Sequence, residues 1–564
     1  MLNAIKSRRL MTAQDGFTMV TVVMTMAVLS MLAVAAWGAA TGDMPLARKD
    51  QDRKRALSAA QAGVDWYAYR LRVNPDYWVK CADDADDSAP LTLEGPPKAG
   101  ANGWRTIAGG SAKFRVEILN IKKNGAPVAC TPADPWNTAL QKGFLRIRAT
   151  GYANGNYRSV VANIQQASEF VKYVYFSNWE TMDPQISGVT ALATDGKSIC
   201  DRARTARDAQ SGNPDCVQIQ FGSGDEINGS LHTNDETVYA CEATFGRDAS
   251  DVFETTTSNW HVGGSGGYSC SGGPPEYKAT KKKVSHLDLP SGNQALDQLA
   301  TPAYTFYGQT CLDFHGDEVW VYRAGGSTIG HEPWAQYDPA TGKGSIKGSR
   351  TVDKMPLPEN GVIYVRSAGG QCQVNYAIAA RTSYTNSESC GDVAVRGTYS
   401  SGITIGAAND IIVYGDLKRT SGTDALLGLI ANNYVRVYHP MTGDPYGRAY
   451  SANNPCNGLG NVSYDVVNEI QASILSLKHS FQVDNYGCGS ALGTLKLTGS
   501  LAQYYRGTVG VFRSNGSSSG YVKDYQYDDR LLRSQPPYFL APANVEGRWK
   551  VNRRSEQTPA QRIP

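Results

Sequence analysis

The chain has 564 residues and a formal net charge of +3. At the usual size of about 150 residues per domain, it is long enough for several domains. The near-neutral charge gives no electrostatic support for nucleic-acid binding, so no nucleic-acid partner is expected. The 58 glycines and 31 tyrosines suit many short strands joined by tight turns.

The N-terminus combines a short basic leader with a long apolar segment. The leader contains Lys6, Arg8 and Arg9 and ends at Gly16, and residues 17 to about 40 carry no charge. An ordinary secretory signal has its apolar core before the cleavage point, and the core is discarded. Here the cut is expected before the apolar core, so the mature chain would keep a helix long enough to cross a bilayer.

The succession of basic leader, Gly16-Phe17-Thr18 and apolar helix resembles the class III signal of type IV pilins and pseudopilins. The resemblance implies that a prepilin peptidase cuts between Gly16 and Phe17, and that Phe17 is then methylated. It implies three partners: the peptidase, the membrane, and other pilins that contact the N-terminal helix. It also implies a single-pass protein of the cytoplasmic membrane that later enters an extracellular filament, with most of the chain outside the cytoplasm.

One position departs from the pattern of this family. The fifth residue of the mature chain is usually a glutamate, and here it is Thr21. In the family this glutamate neutralises the N-terminal ammonium of the neighbouring subunit, and a buried ammonium is costly unless it is paired. The departure implies a minor pilin or pseudopilin that primes the filament or forms its tip. The alternative is a tolerated variation in a subunit of the shaft.

Helical periodicity continues beyond the apolar segment and predicts one helix over residues 17–71, kinked near Gly42 and Pro45. Its far half is amphipathic and is expected to pack on a globular head. The stretch 59–63 within it resembles minor pilins of the PilX-like group. A head over residues 72–170 follows, in which alternating apolar residues on either side of a hairpin turn within 151–158 predict a small antiparallel sheet.

Residues 171–545 are predicted to form a large extracellular β-rich module. Short apolar strands recur between glycine- and asparagine-rich turns, as at Val362–Val365, Ile403–Ile405 and Ile411–Val413. This pattern favours a β-helix, with a β-sandwich as the alternative. One helix is predicted over 464–477, and residues 546–564 are predicted to be a disordered tail. The fold class is therefore α+β: leader (1–16), transmembrane and stalk helix (17–71), pilin-like head (72–170), β-rich module and tail.

The chain has eleven cysteines, and none forms a CxxC pair. Scattered cysteines in an exported chain are typical of disulfides, although sequence alone does not determine the connectivity. Pairing between neighbours along the chain predicts five disulfides and leaves Cys311 over. The five predicted pairs are Cys81–Cys130, Cys200–Cys216, Cys241–Cys270, Cys372–Cys390 and Cys456–Cys488.

No residue pattern indicates catalysis, a cofactor or a metal site. The seven histidines lack ligand spacing, and no nucleophile elbow is present. The acidic residues at 83–87 favour a solvated loop over a calcium site. Asp410 and Asp416 flank a strand and leave one alternative function, a membrane-anchored β-helix protein that cleaves or binds polysaccharide. A group of tyrosines suggests a surface that contacts a carbohydrate or a protein, with packing at edge strands and turns as the alternative: Tyr504, Tyr505, Tyr521, Tyr525, Tyr527 and Tyr538.

Overall fold

The fold is taken from a computed structural model of the full chain. The structure describes residues 17–73, 104–107, 110–119, 122–123, 126–127, 140–141, 144–208, 216–262, 273–323, 336–338, 343–345, 352–369, 372–374, 387, 389–439, 441–442, 460–461, 466–512, 518–543 and 548–560. The leader, the acidic residues at 83–87 and four cysteines (Cys81, Cys130, Cys270 and Cys456) lie outside these ranges.

Helix α1 runs from Phe17 to Val73 and contains Pro45. The long N-terminal helix predicted from the sequence is therefore confirmed, and it ends two residues later than expected. Three short helices follow: α2 (Pro184–Ser187), α3 (Arg204–Asp208) and α4 (Gln294–Leu299). Single 3₁₀ turns cover Phe170–Lys172, Pro302–Tyr304 and Asp529–Leu532.

The rest of the described chain is mostly β. Strands β1 to β7 are Arg105–Thr106, Lys113–Ile118, Lys122–Lys123, Ala126–Pro127, Leu140–Gln141, Phe144–Ala153 and Asn156–Ala167. Strands β8 to β17 are Tyr175–Trp179, Gln220–Phe221, Glu226–Asn228, Leu231–Thr233, Val238–Ala240, Thr244–Phe245, Val252–Thr255, His261–Val262, Glu276–Tyr277 and Thr280–Lys283. Strands β18 to β27 are Thr305–Tyr307, Thr310–Gly316, Glu318–Arg323, Gln336–Asp338, Lys343–Ser345, Val352–Pro356, Val362–Arg366, Val393–Tyr399, Ile403–Ala407 and Ile411–Arg419. Strands β28 to β37 are Leu427–Ala431, Val435–Val437, Met441–Thr442, Gly460–Asn461, Glu469–Ser476, Phe481–Val483, Ala491–Tyr505, Gly510–Phe512, Ser518–Tyr527 and Arg548–Gln557.

The head is an antiparallel sheet with the order β1-β2-β6-β7-β37. The β6–β7 hairpin turns at Asn154 and Gly155, whose φ angles are 45° and 81°. Positive φ at both central residues is the requirement of a type I′ turn, which the Asn-Gly pair meets. The antiparallel sheet and its turn match the prediction from the sequence.

The core of the head lies between α1 and this sheet. Small residues on α1 let the helix approach closely: a Cβ added at Gly151 of β6 would lie 1.9 Å from the carbonyl oxygen of Ala56. The tight fit buries apolar side chains from the helix, the sheet and the C-terminal strand. They are Ala60, Val64, Tyr67, Ala68, Leu71, Leu145, Ile147, Ala149, Val160, Ala162, Ile164 and Trp549.

The C-terminal segment corrects one prediction. Residues 546–564 are polar and basic, which suggested disorder, yet Arg548–Gln557 forms strand β37 and pairs with β7. Trp549 explains the difference, because its side chain is buried in the head core. Two ion pairs also hold the strand, Arg554 with Asp65 of α1 and Arg158 with Glu556. The β-rich module is therefore inserted between β7 and β37, the last two strands of the head sheet.

Alternate strands of the β-rich module pair in parallel. β24 pairs with β26 and β26 with β28, while β25 pairs with β27 and β27 with β29. Strands that follow one another in sequence therefore belong to different stacks, and each pair of strands lies over the preceding pair. Short connections replace the long crossovers that parallel strands in one flat sheet need.

The chain enters the module near its middle. One continuous series of parallel pairings has the order β17-β14-β11-β8-β34-β32-β28-β26-β24-β18. The first strand, β8, lies fourth in this order, between β11 and β34. The chain builds outward from β8 to β17, crosses over through residues 284–304, and then builds back from β18 to meet β8 again.

Residues 284–304 are tied to the stacked strands by Asn293, which is fully buried. Its Nδ2 donates to the carbonyl oxygens of Ala407 and Ile430 at 2.8 and 2.9 Å, and its Oδ1 accepts from the Tyr364 hydroxyl at 2.8 Å. The apolar interior beside it is one cluster that extends through both series of strands.

The helix predicted over 464–477 is wrong. Glu469–Ser476 is strand β32, which pairs in parallel with β28 and β34. Ile470 and Ile474 are four residues apart, which imitates helical spacing, but both are fully buried in the strand. A short apolar run buried between two strands has the same pattern as a buried helix, so length and periodicity do not separate them.

Candidate functional site

The first candidate site is the N-terminal half of α1. Residues Met19–Gly38 have a mean hydropathy of 2.3, enough length to cross a membrane, and no buried side chain. Met19 is 77% exposed and Trp37 is 75% exposed. Monomeric soluble proteins rarely leave such a continuous apolar surface in water. This half of the helix therefore requires a lipid or protein environment.

Hydroxyl groups within this apolar stretch bond back to the helix. Thr25 Oγ1 lies 2.8 Å from the Thr21 carbonyl oxygen and 2.9 Å from that of Val22, and Ser30 Oγ donates to Met26 at 2.7 Å. Such bonds satisfy the hydroxyls without water, as an apolar environment demands. Thr21 lies on this exposed stretch.

The residues predicted for processing lie at the start of the described chain. Gly16 is outside the described residues, and Phe17 is the first residue of α1. Cleavage, methylation and the assembly role of Thr21 remain predictions.

Two of the predicted disulfides are present. Cys200 bonds to Cys216, with Cα atoms 5.6 Å apart, and Cys372 bonds to Cys390, with Cα atoms 4.4 Å apart. Cys241 and Cys488 are also disulfide-bonded. Their predicted partners, Cys270 and Cys456, and the pair Cys81–Cys130 lie outside the described residues.

Cys311, the residue left over in the predicted pairing, is a buried thiol. Its Sγ lies 2.9 Å from the Tyr414 hydroxyl. The pKa of Tyr414 is raised well above its ordinary value, first by burial and then by the thiol. This environment shields the sulfur from solvent and from other thiols.

Asp410 and Asp416 do not form a carboxylate pair in a cleft. Asp410 is fully buried, and its Oδ2 lies 3.2 Å from Arg436 Nε. Asp416 accepts the backbone N–H of Asn468 and pairs with Lys418 at 2.7 Å. Burial opposes ionisation of Asp416, but these donors hold its pKa below the ordinary value. Both residues therefore have structural partners, and the polysaccharide alternative gains no support from them.

A ladder of buried polar residues surrounds Asp410. Arg436 lies between Asp410 and Asp484, and Asp392 Oδ1 accepts from Asn409 Nδ2 at 2.5 Å and from the backbone N–H of Asp410 at 3.1 Å. Burial, and then the charge of Asp410, raise the pKa of Asp392 to about 6. Three carboxylates share one guanidinium in the ladder, so the third carboxylate ionises reluctantly.

The tyrosines predicted to lie on the surface are mostly interior. Tyr505, Tyr521, Tyr525 and Tyr527 are between 1% and 8% exposed, while Tyr504 and Tyr538 are partly buried. Their side chains fill the module between stacked strands, and the Tyr527 hydroxyl donates to the Val171 carbonyl oxygen at 3.0 Å. The prediction of a tyrosine-rich contact surface is therefore wrong, because sequence gives no register for these strands.

A second candidate site lies where the head meets the module, around the fully buried His232 of β11. Its Nδ1 lies 2.9 Å from Glu254 Oε2, and its Nε2 lies 3.0 Å from Asn234 Oδ1. Asn234 Oδ1 also accepts from Leu287 N, while Asn234 Nδ2 donates to Leu287 O, so the orientation of the amide is fixed. Both ring nitrogens therefore face oxygen acceptors, one of which is the carboxylate of Glu254.

Tyr173 completes this arrangement. Its hydroxyl donates to Glu254 Oε2 at 2.9 Å, and its ring lies 5.1 Å from the His232 ring. Burial acts to raise the pKa of Glu254, but the hydrogen bonds from His232 and Tyr173 hold it below its ordinary value. The sequence analysis did not predict this arrangement. The available signal was a run of polar residues within a buried strand.

The structure offers no metal centre in the part of the chain that it describes. No group of three histidine, cysteine or acidic side chains is arranged there to hold an ion.

Comparison with known proteins gives one family match. Residues 15–65 match the PilX N-terminal family, which covers the junction of leader and helix and most of α1. A search of curated proteins finds no match. Among solved structures, the chain is similar to the competence-associated pilin ComZ from Thermus thermophilus. The identity is 12% over 90% of this chain and 97% of that one, with a TM-score of 0.26, too low to support a structural argument. The likeness to the PilX family is therefore confined to the N-terminal segment, residues 15–65.

Proposed function

We propose that the protein is a minor pilin or pseudopilin of a type IV pilus-like filament. The observation that carries the proposal is the continuity of α1. Met19–Gly38 in its first half is exposed and apolar, and its second half packs into the head. Such a helix joins a membrane or a bundle of neighbouring helices to a folded head. The role is structural and requires no catalytic site.

Processing after Gly16 is the first part of the proposal. The peptidase would release the basic leader and leave Phe17 as a methylated N-terminus, with the apolar helix retained. Mass spectrometry of the N-terminal peptide from the membrane fraction tests this. A mature chain starting at methylated Phe17 is expected, and Gly16→Ala is expected to leave the leader attached. A different N-terminus in the parent chain would overturn the proposal.

A position at the tip, or in the priming complex, is the second part. Support comes from Thr21, which lies on the exposed apolar half of α1 and carries no charge to pair with a neighbour's ammonium. Immunogold labelling of sheared filaments should mark their ends. Thr21→Glu should move label onto the shaft, and Thr25→Glu serves as the matched control one turn away. Lateral labelling of the parent filament contradicts a tip position.

The third part of the proposal concerns the function of the β-rich module. We propose that residues 171–545 form a β-helix that the head presents outside the cell, for assembly or adhesion. The alternate parallel pairing of strands supports this, as does the insertion of the module between β7 and β37. Deleting strands from the interior of the module would distinguish a role in filament assembly from a role in adhesion. If the module serves adhesion alone, filaments should still assemble without it.

A further inference from the structure

We propose that the cleft between head and module binds an extended acidic peptide segment of a partner protein. The cleft has a volume of about 790 Å³ and is bounded by β7 and β37 of the head, by β11, β14 and β17 of the module, and by the turn at 529–532. That volume lies within the range of about 300–1,000 Å³ that ligand sites occupy. The inference concerns the partner and does not depend on how the N-terminus is processed.

The charges that line the cleft are unbalanced. Its two acidic residues each have a partner within the protein, Glu169 with Lys172 and Glu254 with His232. Three further cations line the cleft, namely Lys282, Arg533 and Lys550. They come from three separate segments, so the fold brings them together. In a chain close to neutral overall, this makes a local positive site that favours carboxylates.

Arg533 is the most available of these cations. It follows the turn at 529–532, is exposed, and forms no ion pair with any residue that the structure describes. Lys282 lies 3.8 Å from Glu254 Oε1, a distance at which the ammonium retains donors for a second carboxylate. A guanidinium binds a carboxylate through two parallel hydrogen bonds, which fixes the ligand's orientation as well as its charge.

The cleft also needs a donor from its ligand. Glu169 is nine-tenths buried, and its Oε1 has no hydrogen-bond partner within the described chain, while Oε2 pairs with Lys172. Leaving a buried acceptor in this state is unfavourable. The backbone N–H of a peptide would satisfy it. Anions without a proton at neutral pH, such as chloride or sulfate, carry no such donor.

Aliphatic side chains favour a peptide over an acidic sugar. Val252 and Val284 are partly exposed in the cleft, and Leu532 at its lip is 70% exposed. Tyr173, an aromatic residue of the lining, has its ring buried against His232, so it offers no open face to a sugar ring. A ligand that alternates carboxylate and aliphatic side chains therefore matches both features of the cleft.

Fluorescence anisotropy with the detergent-solubilised full chain tests this inference. The probe is a fluorescein-labelled seven-residue peptide that alternates glutamate with valine. Binding is expected, and it should weaken as salt rises. The same peptide with lysine in place of glutamate should not bind. Equal binding of both peptides, or no binding of the glutamate peptide at millimolar concentration, would overturn the proposal.

Variants localise the binding. Lys282→Glu combined with Arg533→Glu should weaken the affinity at least tenfold, and Leu532→Ser, at an exposed position, should weaken it about threefold. Lys478→Glu makes the same charge change at an exposed lysine outside the cleft and should stay within twofold. An unchanged affinity in the double variant excludes the cleft. Stronger binding of tetragalacturonate than of the peptide would replace the peptide with an acidic sugar and refute the inference as stated.

Discussion

Replacing Asp392 with asparagine is expected to stabilise the module. Asp392 is fully enclosed beside Asp410, within a ladder in which three carboxylates share Arg436. Asparagine keeps the Oδ1 that accepts from Asn409 and from the backbone N–H of Asp410. It removes a buried negative charge and places an N–H₂ group where the second carboxylate oxygen was.

The size of the effect follows from the pKa of Asp392, which rises from 3.8 to about 6 on folding. A rise of about 2 pH units corresponds to about 3 kcal/mol, at 1.36 kcal/mol per unit. Because the folded pKa is raised, the ionised carboxylate is the destabilising form. The penalty is absent below about pH 4, grows as pH rises to about 6, and is complete above about pH 7. The asparagine variant carries no charge at this position and therefore has no such penalty at any pH.

Differential scanning calorimetry from pH 4 to pH 8 measures this gain. Asp392→Asn should match the parent Tm at pH 4 and exceed it by roughly 3–6 °C at pH 8, at about 1–2 °C per kcal/mol for a module of this size. Asp410→Asn is the matched control. It leaves Arg436 without one of its anionic partners and should lower the Tm at every pH. A gain for Asp392→Asn that does not vary with pH would refute the electrostatic reasoning.

Three further predictions concern the head, the buried thiol and the junction. Gly151→Ala should loosen the contact of α1 with the head sheet, at a cost of about 1–3 kcal/mol, and limited proteolysis should detect this. Gly110→Ala, where the added Cβ would lie 3.9 Å from its nearest neighbour, should stay resistant. Cys311 should react with a maleimide only after unfolding, and rapid labelling of the native chain would contradict its burial. His232→Phe should destabilise the chain by about 3 kcal/mol at pH 7, because it removes the His232 contact of the buried Glu254 carboxylate and leaves only Tyr173 and the more distant Lys282. The folded chain lowers the pKa of Glu254, so the stability that its carboxylate contributes is lost as the pH falls below about 4. The effect of His232→Phe should therefore shrink in that range. A loss of stability that thermal unfolding shows to be independent of pH would refute the contribution of this contact.

Elements that depend on residues close together in the sequence were predicted correctly. The charge-free run from Phe17 and the small residues after Ala56 specify α1, and Asn154-Gly155 specifies the hairpin of the head. Long-range pairing was not accessible in the same way. Trp549 is one aromatic residue in a basic tail, and only its contact with the head core makes β37 a strand.

The candidate sites show the same division. The apolar helix was predicted because hydropathy is a local property. The ion pair of His232 with Glu254 joins strands β11 and β14, and the register between them brings the two residues together. Burial of Tyr521 and Tyr525 likewise depends on the stacking of β36 on β34 and β10. Residue type alone favours neither an exposed nor an interior tyrosine.

The insertion of the module between the last two strands of the head has a mechanical consequence. The chain leaves the head after β7 and returns before β37, and the turns at Phe170–Lys172 and Asp529–Leu532 contact each other. A pull on the module would reach the head through two adjacent covalent connections instead of one. Because the end of β7 and the start of β37 are paired neighbours, Ala167 with Arg548, that pull acts on both strands in the same direction and does not peel one strand from the other.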